Sequence, residues 1–480
     1  MHFIHKYHRN SSEMDLTEGN LFFKIPLFAL PMAFTTILQL LYTTVDLYTV
    51  SNFGGGSNSM SAVGSNTPLI NLIVTFFVSF SLGSNVVMGN AKGAKDKERA
   101  KKILHTSMIL GLLSGLIVGI VGFLISPYML IWMNTPEGIL SASTDYLKIY
   151  FLGLPFLMVY NYGSQILRAL GDSKRPLYIL IVSGLINVAC DFLFVIVFKM
   201  DVIGVAWATV LSEVISAILI VLWLWLYKKS YVHMEWKKLR IDKNSLKEIL
   251  KIGIPSGLQG LGFCIPNVLI QSSLYSITDY AIQGQAINIY EIVAGSSASS
   301  TIENYVFAFI DAFASAVTAF VGQNYGARKK KNIHKTLFYA IFWTLLTWGV
   351  CSLICCVFPD QVLSVFITEG ENISHERALL AGKERMILMV LTYSIDALMD
   401  LFSAYLRGMK HSLAPSINTI TCCVGLRIFF LLVLFPMPYF HTIFWLYFVY
   451  PISWILSVVA FIPMIFLIER KALGNLSEEK

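Results

Sequence analysis

An apolar helix needs about 20 residues to cross the roughly 30 Å hydrocarbon core of a bilayer. Runs of that length recur through all 480 residues of this chain, near 22–52, 62–91, 103–126, 141–167, 175–198, 202–227, 252–276, 281–324, 335–358, 384–407, 413–436 and 442–468. In hydrocarbon every backbone polar group must be satisfied inside its own segment, so runs like these fold as helices. They leave no room for a soluble domain, and only 14% of residues are charged, against about a quarter in soluble domains. The expected fold class is an all-α polytopic membrane protein with twelve transmembrane helices. The eighth run is over-long, and its start is set at 281 only by hydropathy.

The net charge of +7 could suggest a nucleic-acid partner, but its distribution points elsewhere. Of 36 Lys and Arg, 30 lie in the two tails, in loops after even-numbered spans or at the span ends beside them. Arg377, Lys383 and Arg385 are read as part of the loop before the tenth span. The bias places both termini and the even loops in the cytoplasm, and the basic runs "KGAKDKERAKK" and "YGARKKKNIHK" are topology signals that also favour the membrane surface. The polar start runs into a span too long for a cleaved signal, so that span is expected to be retained. All seven cysteines fall in apolar spans without zinc-like spacing and read as small hydrophobes, with no structural metal or disulfide expected.

The chain also repeats itself. "GNAKGAKDKERAKK" faces "GQNYGARKKKNIHK" when Gly93 is set on Gly326, "LRALGDSKRP" (167–176) matches "LRGMKHSLAP" (406–415), and Pro31 corresponds to Pro255. Six spans per half in the same orientation make a parallel repeat about an axis along the membrane normal, with substrate handled between the halves. The expected organisation is a tail (1–20), a six-helix bundle (21–227), a linker (228–251), a pseudo-symmetric second bundle (252–468) and a tail (469–480). The linker reads equally as an interfacial helix or as a solvated segment.

Ionisable groups at membrane depth are costly and mark function by default. In "SGLINVACDFLFV" (183–195) the spacing by four sets Asn187 and Asp191 on one helix face. With a rise of about 1.5 Å per residue, Asp46, Tyr146, Asn187, Asp191 and Thr209 all fall in the outer half of the membrane. Thr209 and Glu213 repeat the spacing by four, and Glu213 is grouped with the candidates for substrate attraction or charge pairing. Carboxylate, amide and hydroxyl oxygens suit Na⁺ as a hard cation, and carboxylates in a dry pocket suit H⁺; the residues do not choose between the ions. The alternative is that Asn187 and Asp191 only bond neighbouring helices. In the second half Asp396 and Arg427 reach matching depths, which predicts an ion pair, while Glu303 and Asp311 read as buried, have no partner by sequence and would attract a cationic substrate. Lys148 is expected to snorkel. Pro26, Pro31 and Pro255 are candidate hinges, and ion loading at Asp46 and Asp191 is expected to bend the first span and shrink a first-half cavity.

These residues resemble a known family, the multidrug and toxic compound extrusion (MATE) transporters. The resemblance spans about residues 20–470 and rests on "LPMAFTTILQLLYTTVD", "SLGSNVVMGNAKGAKD", "LRALGDSKRP", "GVAWATV", "IGIPSGLQ", "FVGQNYGAR" and "LRGMKHS", in family order. It implies a V-shaped pair of six-helix bundles that expels amphipathic, often cationic, small molecules in exchange for H⁺ or Na⁺, with no other cofactor. It further implies coupling through Asp46, Tyr146, Asn187, Asp191 and Thr209, the pattern of one prokaryotic branch. Another branch couples through an Asp at the Asp396 position and a Glu in the seventh span. Here Phe263 stands where that Glu is expected, which makes Asp396 a structural or substrate-attracting charge. The expected setting is the cell (inner) membrane, as a monomer in the lipid bilayer without nucleic acid. No nucleotide-binding motif or catalytic arrangement is legible, so the chain reads as a secondary antiporter and not an enzyme. A flippase for a lipid-linked precursor, from the related superfamily, is the rival; it would carry several cavity bases, whereas this chain shows mainly acids.

Overall fold

The computed structural model describes residues 13–228, 230–277, 280–282, 285–367 and 373–474. The first half comprises α1 (Leu21–Phe53), the short α2 (Ser57–Gly64), α3 (Thr67–Gly93), α4 (Lys97–Trp132), α5 (Glu137–Ala169), α6 (Lys174–Phe192), which widens into a π-helical stretch at Leu193–Val197, and α7 (Asp201–Leu226). The second half comprises α8 (Lys243–Ser273), α9 (Ile289–Gly326), α10 (Lys330–Val357), the short α11 (Pro359–Ser364), α12 (His375–Gly408), α13 (Leu413–Thr419), α14 (Leu426–Phe429) and α15 (Ile443–Gly474). π-helical stretches at Ile420–Gly425 and Phe430–Leu434 join α13 and α14 into one eleventh span. Among the described residues eleven segments are long and apolar enough to cross a membrane, and α5, a continuous helix of 33 residues that carries Asp145 and Lys148, makes a twelfth long helix. The protein is a multi-pass membrane protein.

Local sequence sets the helix starts. Asn20 caps α1 by accepting from Phe22 N at 3.1 Å, and Asp96 caps α4 by accepting from Arg99 N at 3.0 Å. Asn288 and Glu291 form a reciprocal capping box at the start of α9. Large apolar side chains such as Leu185, Phe338 and Leu432 point outward, as a hydrocarbon surround requires.

Backbone geometry repeats with the sequence. Lys95 and Arg328 occupy equivalent places after α3 and α9 and share φ 57°; Gly171 (φ 84°) and Lys410 (φ 68°) do so after α5 and α12. A left-handed residue is uncommon outside glycine, so its recurrence at matched positions supports a true structural repeat.

Several expectations are corrected. The eighth span begins at Ile289, not 281, because Ala281–Ile282 and Gln285–Ala286 pair as a small antiparallel hairpin ahead of it. The second span is broken at Ser65–Asn66, where the Asn66 amide donates to the Ala62 and Ser143 carbonyls. Among the described residues of the linker 228–251 there is no separate interfacial helix: Trp236–Lys238 make one turn, and residues from Lys243 already belong to α8. Arg377, Lys383 and Arg385 lie inside α12, not in the preceding loop. Of the two expected tails, residues 1–12 and 475–480 lie outside the described residues.

The halves meet most tightly where the basic loops lie, here called the basic end. A Cβ on Gly93 would come within 1.9 Å of the Gln323 carbonyl, and one on Gly326 within 2.1 Å of the Asn90 carbonyl. Gly83 is set against the Ile249 carbonyl in the same way, at 2.4 Å. Gln323 also donates to the Ala169 carbonyl at 2.6 Å across the seam.

Candidate functional site

Two polar regions stand apart in the fold. The first is built where α1 meets α6. Tyr42 lies against Gly184, whose missing side chain admits the ring, and the Tyr42 hydroxyl donates to the Leu180 carbonyl at 3.0 Å. That contact sets the register for the next turns: Asp46, four residues after Tyr42, meets Asn187 and Asp191, three and seven residues after Gly184. Thr209 Oγ1 on α7 donates to Asp46 Oδ2 at 3.5 Å while also bonding the Val205 carbonyl at 3.1 Å. Asp191 is wholly buried, and neither of its oxygens has a hydrogen-bond partner among the described residues; one oxygen each of Asp46 and Asn187 is likewise without one.

The structure therefore gathers Asp46, Asn187, Asp191 and Thr209, and Tyr146 on α5 is buried beside them, within the electrostatic reach of both acids. Glu213, grouped with the substrate candidates from sequence, instead joins this region: it is buried against α5, where a Cβ on Gly153 would come within 2.1 Å of its Oε2. Two carboxyl groups facing each other in a dry site are relieved by a shared proton or by a cation among their oxygens. The helix widens into its π-helical stretch two residues beyond Asp191, a distortion often found at functional positions.

The second region is a cavity of about 840 Å³ between α3 and the second bundle. It reaches from Ser256, Gln259 and Arg407 toward the basic end to Thr67 and Tyr275 at the opposite end. The cavity thus belongs to the second half and the seam, and no described residue of α1, α6 or α7 lines it.

Among its charged groups, Glu303 is paired, contrary to the sequence reading. Arg385 donates to it twice, Nε to Oε1 at 2.8 Å and Nη2 to Oε2 at 3.0 Å, and Ser299 Oγ adds a bond to Oε1 at 2.8 Å. Asp396 and Arg427 both line the cavity but form no ion pair among the described residues. Arg427 donates Nε to Ser453 Oγ at 3.0 Å and Nη1 to Asn267 Oδ1 at 3.4 Å, with its guanidinium 4.3 Å from the Tyr450 ring centre. Phe263, standing where a family Glu was expected, flanks the same guanidinium at 5.9 Å. Asp311 is open to the cavity instead of buried. Lys148 lies 5.8 Å from the Phe123 ring centre.

Asp400, one turn beyond Asp396, also lines the cavity and was missed from sequence. Its signal was present: Asp396 and Asp400 have the spacing that singled out Asn187 and Asp191. With Glu303 neutralised by Arg385, Asp311, Asp396 and Asp400 face Arg407 and Arg427, so the formal balance is negative. Arg407 is turned to neutral partners, donating to Gln259 Oε1 and Ser403 Oγ at 3.2 Å each. Pro26 and Pro31 lie inside an unbroken α1, and Pro255 inside α8.

Known proteins share this plan. The chain is 28% identical over 417 residues to the probable multidrug resistance protein YoeA of Bacillus subtilis (strain 168), covering 84% of each. It is 26% identical over 271 residues to the multidrug export protein MepA of Staphylococcus aureus (strain MRSA252), covering 55% of this chain and 60% of that one. Its fold is similar to that of an outward-facing multidrug resistance MATE family transporter of the MOP superfamily, with TM-score 0.84 and 22% identity over 98% of this chain and 99% of the other. The MatE family model matches twice, over residues 31–193 and 267–433, once in each half. On that double match the chain belongs to the MatE family, the multidrug and toxic compound extrusion transporters whose motifs its sequence carries.

Proposed function

We propose that this protein is a secondary antiporter of the cell membrane, expelling amphipathic, cationic small molecules in exchange for H⁺ or Na⁺. The observation that carries the proposal is the separation of two sites: buried carboxyl oxygens of Asp46 and Asp191 without hydrogen-bond partners among the described residues of the first bundle, and a large, formally negative cavity against the second. Asp46 and Asp191, with Asn187, Thr209 and Tyr146, take the coupling ion; Asp311, Asp396 and Asp400 attract the substrate. Aromatic Tyr275 and Phe307 in the cavity lining offer π-faces to a cation.

Because the sites do not touch, coupling passes through the bundle arrangement: antiport requires that loaded and unloaded carboxyls favour different arrangements. Positive-inside bias makes the basic end cytoplasmic, with both termini on that side. The seam closed there, with the cavity extending to the other end, corresponds to an outward-facing state. The negative balance of the cavity disfavours the pyrophosphate of a lipid-linked precursor.

The test is efflux of an organic cation from proteoliposomes under an imposed pH gradient and, separately, an imposed Na⁺ gradient. One gradient should drive export, and Asp191→Asn should abolish that drive. Export indifferent to both gradients would overturn the antiporter reading.

A further inference from the structure

A short segment ahead of α1 lies across the seam at the basic end. Residues 13–20 form no helix, yet Leu16 is 0% exposed and packs into the core of the second bundle. On one side the segment is fastened to the first bundle. Met14 N donates to the Gly171 carbonyl at 2.9 Å, Glu13 pairs with Lys92 at 3.4 Å, and Glu13 also accepts from Ser230 Oγ and, at 3.1 Å, from Tyr231 N. Gly171 has φ 84°, and a Cβ there would come within 2.0 Å of the Met14 carbonyl oxygen, so the docking place is shaped for this backbone.

On the other side it is fastened to the second bundle within the next few residues. Asn324 on α9 donates to the Leu16 carbonyl at 2.9 Å; Asn332 on α10 donates to the Thr17 carbonyl at 2.8 Å. Lys329 reaches the Thr17 carbonyl at 3.1 Å and Glu18 Oε1 at 3.3 Å. Lys24 folds the segment back onto α1 by donating to the Asp15 and Glu18 carbonyls at 2.6 and 2.7 Å.

Chain reach makes this a conformational constraint. From Met14 N to Leu16 O the backbone spans at most about 10 Å even fully extended. It cannot remain docked on Gly171 and on Asn324 together if the basic ends of the bundles move apart. We propose that residues 13–18 are a strap that locks the basic end shut, and that Leu16 and Thr17 must leave the second bundle each time that end opens. This rests on the alternating transport proposed above and adds the element whose release gates it.

The experiment joins the strap to α10. Thr17→Cys and Asn332→Cys are introduced where the seven native cysteines have been replaced, and the pair is bridged with a short, reductively cleavable thiol reagent. Export should fall by about tenfold or more on bridging and return on cleavage. Bridged protein that exports at the unbridged rate would show that the strap stays docked throughout and would overturn the lock. A conformational readout separates this from failure of the antiporter reading. In the same cysteine-free background, nitroxide labels at Glu98→Cys and Lys331→Cys, both exposed at the basic end, report the separation of the bundles. Leu16→Ser, or the milder Asn332→Leu, should add a population at longer distance whether or not any tested compound is exported. Distance distributions unchanged in both variants would equally reject the lock.

Discussion

The ring of Tyr42 on α1 rests on Gly184 of α6 so closely that a Cβ at Gly184 would lie 1.8 Å from the Tyr42 Cζ. The two helices are thereby held at the distance at which Asp46 meets Asn187 and Asp191 one to two turns further on. Gly184→Ala should push α1 away and loosen that cluster, cutting ion-driven export several-fold. Tyr42→Phe keeps the ring and loses one hydrogen bond worth about 1 kcal/mol, so export should stay near wild type. Equal losses in both variants, compared at equal expression, would speak against a packing role.

Asp191→Asn should insert and fold, since it replaces a buried carboxyl by an isosteric neutral group, while export driven by the ion gradient collapses. Gradient-driven efflux in proteoliposomes checks this. Wild-type rates would leave Asp191 as a merely structural polar group.

The Arg385–Glu303 pair joins α12 to α9 through two charge-assisted bonds in a buried site. Arg385→Met alone leaves Glu303 as an uncompensated buried charge, expected to cost about 3–5 kcal/mol on the scale of soluble proteins. Combining it with Glu303→Gln should recover much of that loss. Unfolding midpoints in detergent give the comparison, and a double variant no more stable than Arg385→Met would count against the pairing.

Gly93 and Gly326 are equivalent in the two halves, and each lies on a carbonyl of the opposite half. Gly93→Ala and Gly326→Ala should therefore act alike, overpacking the seam by about 1–3 kcal/mol each and raising the population open at the basic end. Label distances across that end measure the effect. A strong effect from only one of the two would contradict a symmetric seam.

The sequence by itself determined the features that are local to one helix. Span number and repeat follow from hydropathy and motif spacing, and the shared face of Asn187 and Asp191 follows from a turn of 3.6 residues. The same rule would have found Asp400 beside Asp396. Only the tertiary structure decided which faces meet. Depth along the membrane normal is one coordinate, and rise per residue supplies it; helix rotation and separation are set by packing between distant segments. Asp396 and Arg427 match in depth, yet the π-helical stretch Ile420–Gly425 changes the rotation of the eleventh span just before Arg427, which turns to Tyr450 and Ser453 instead. Arg385 looked like a loop residue because charges lower hydropathy; α12 carries it into the interior, where Glu303, 82 positions away in sequence, neutralises it. The strap is the extreme case. Residues 13–18 are polar and irregular by sequence, and their role lies wholly in the two surfaces that α9, α10 and the α5–α6 turn bring to either side of them.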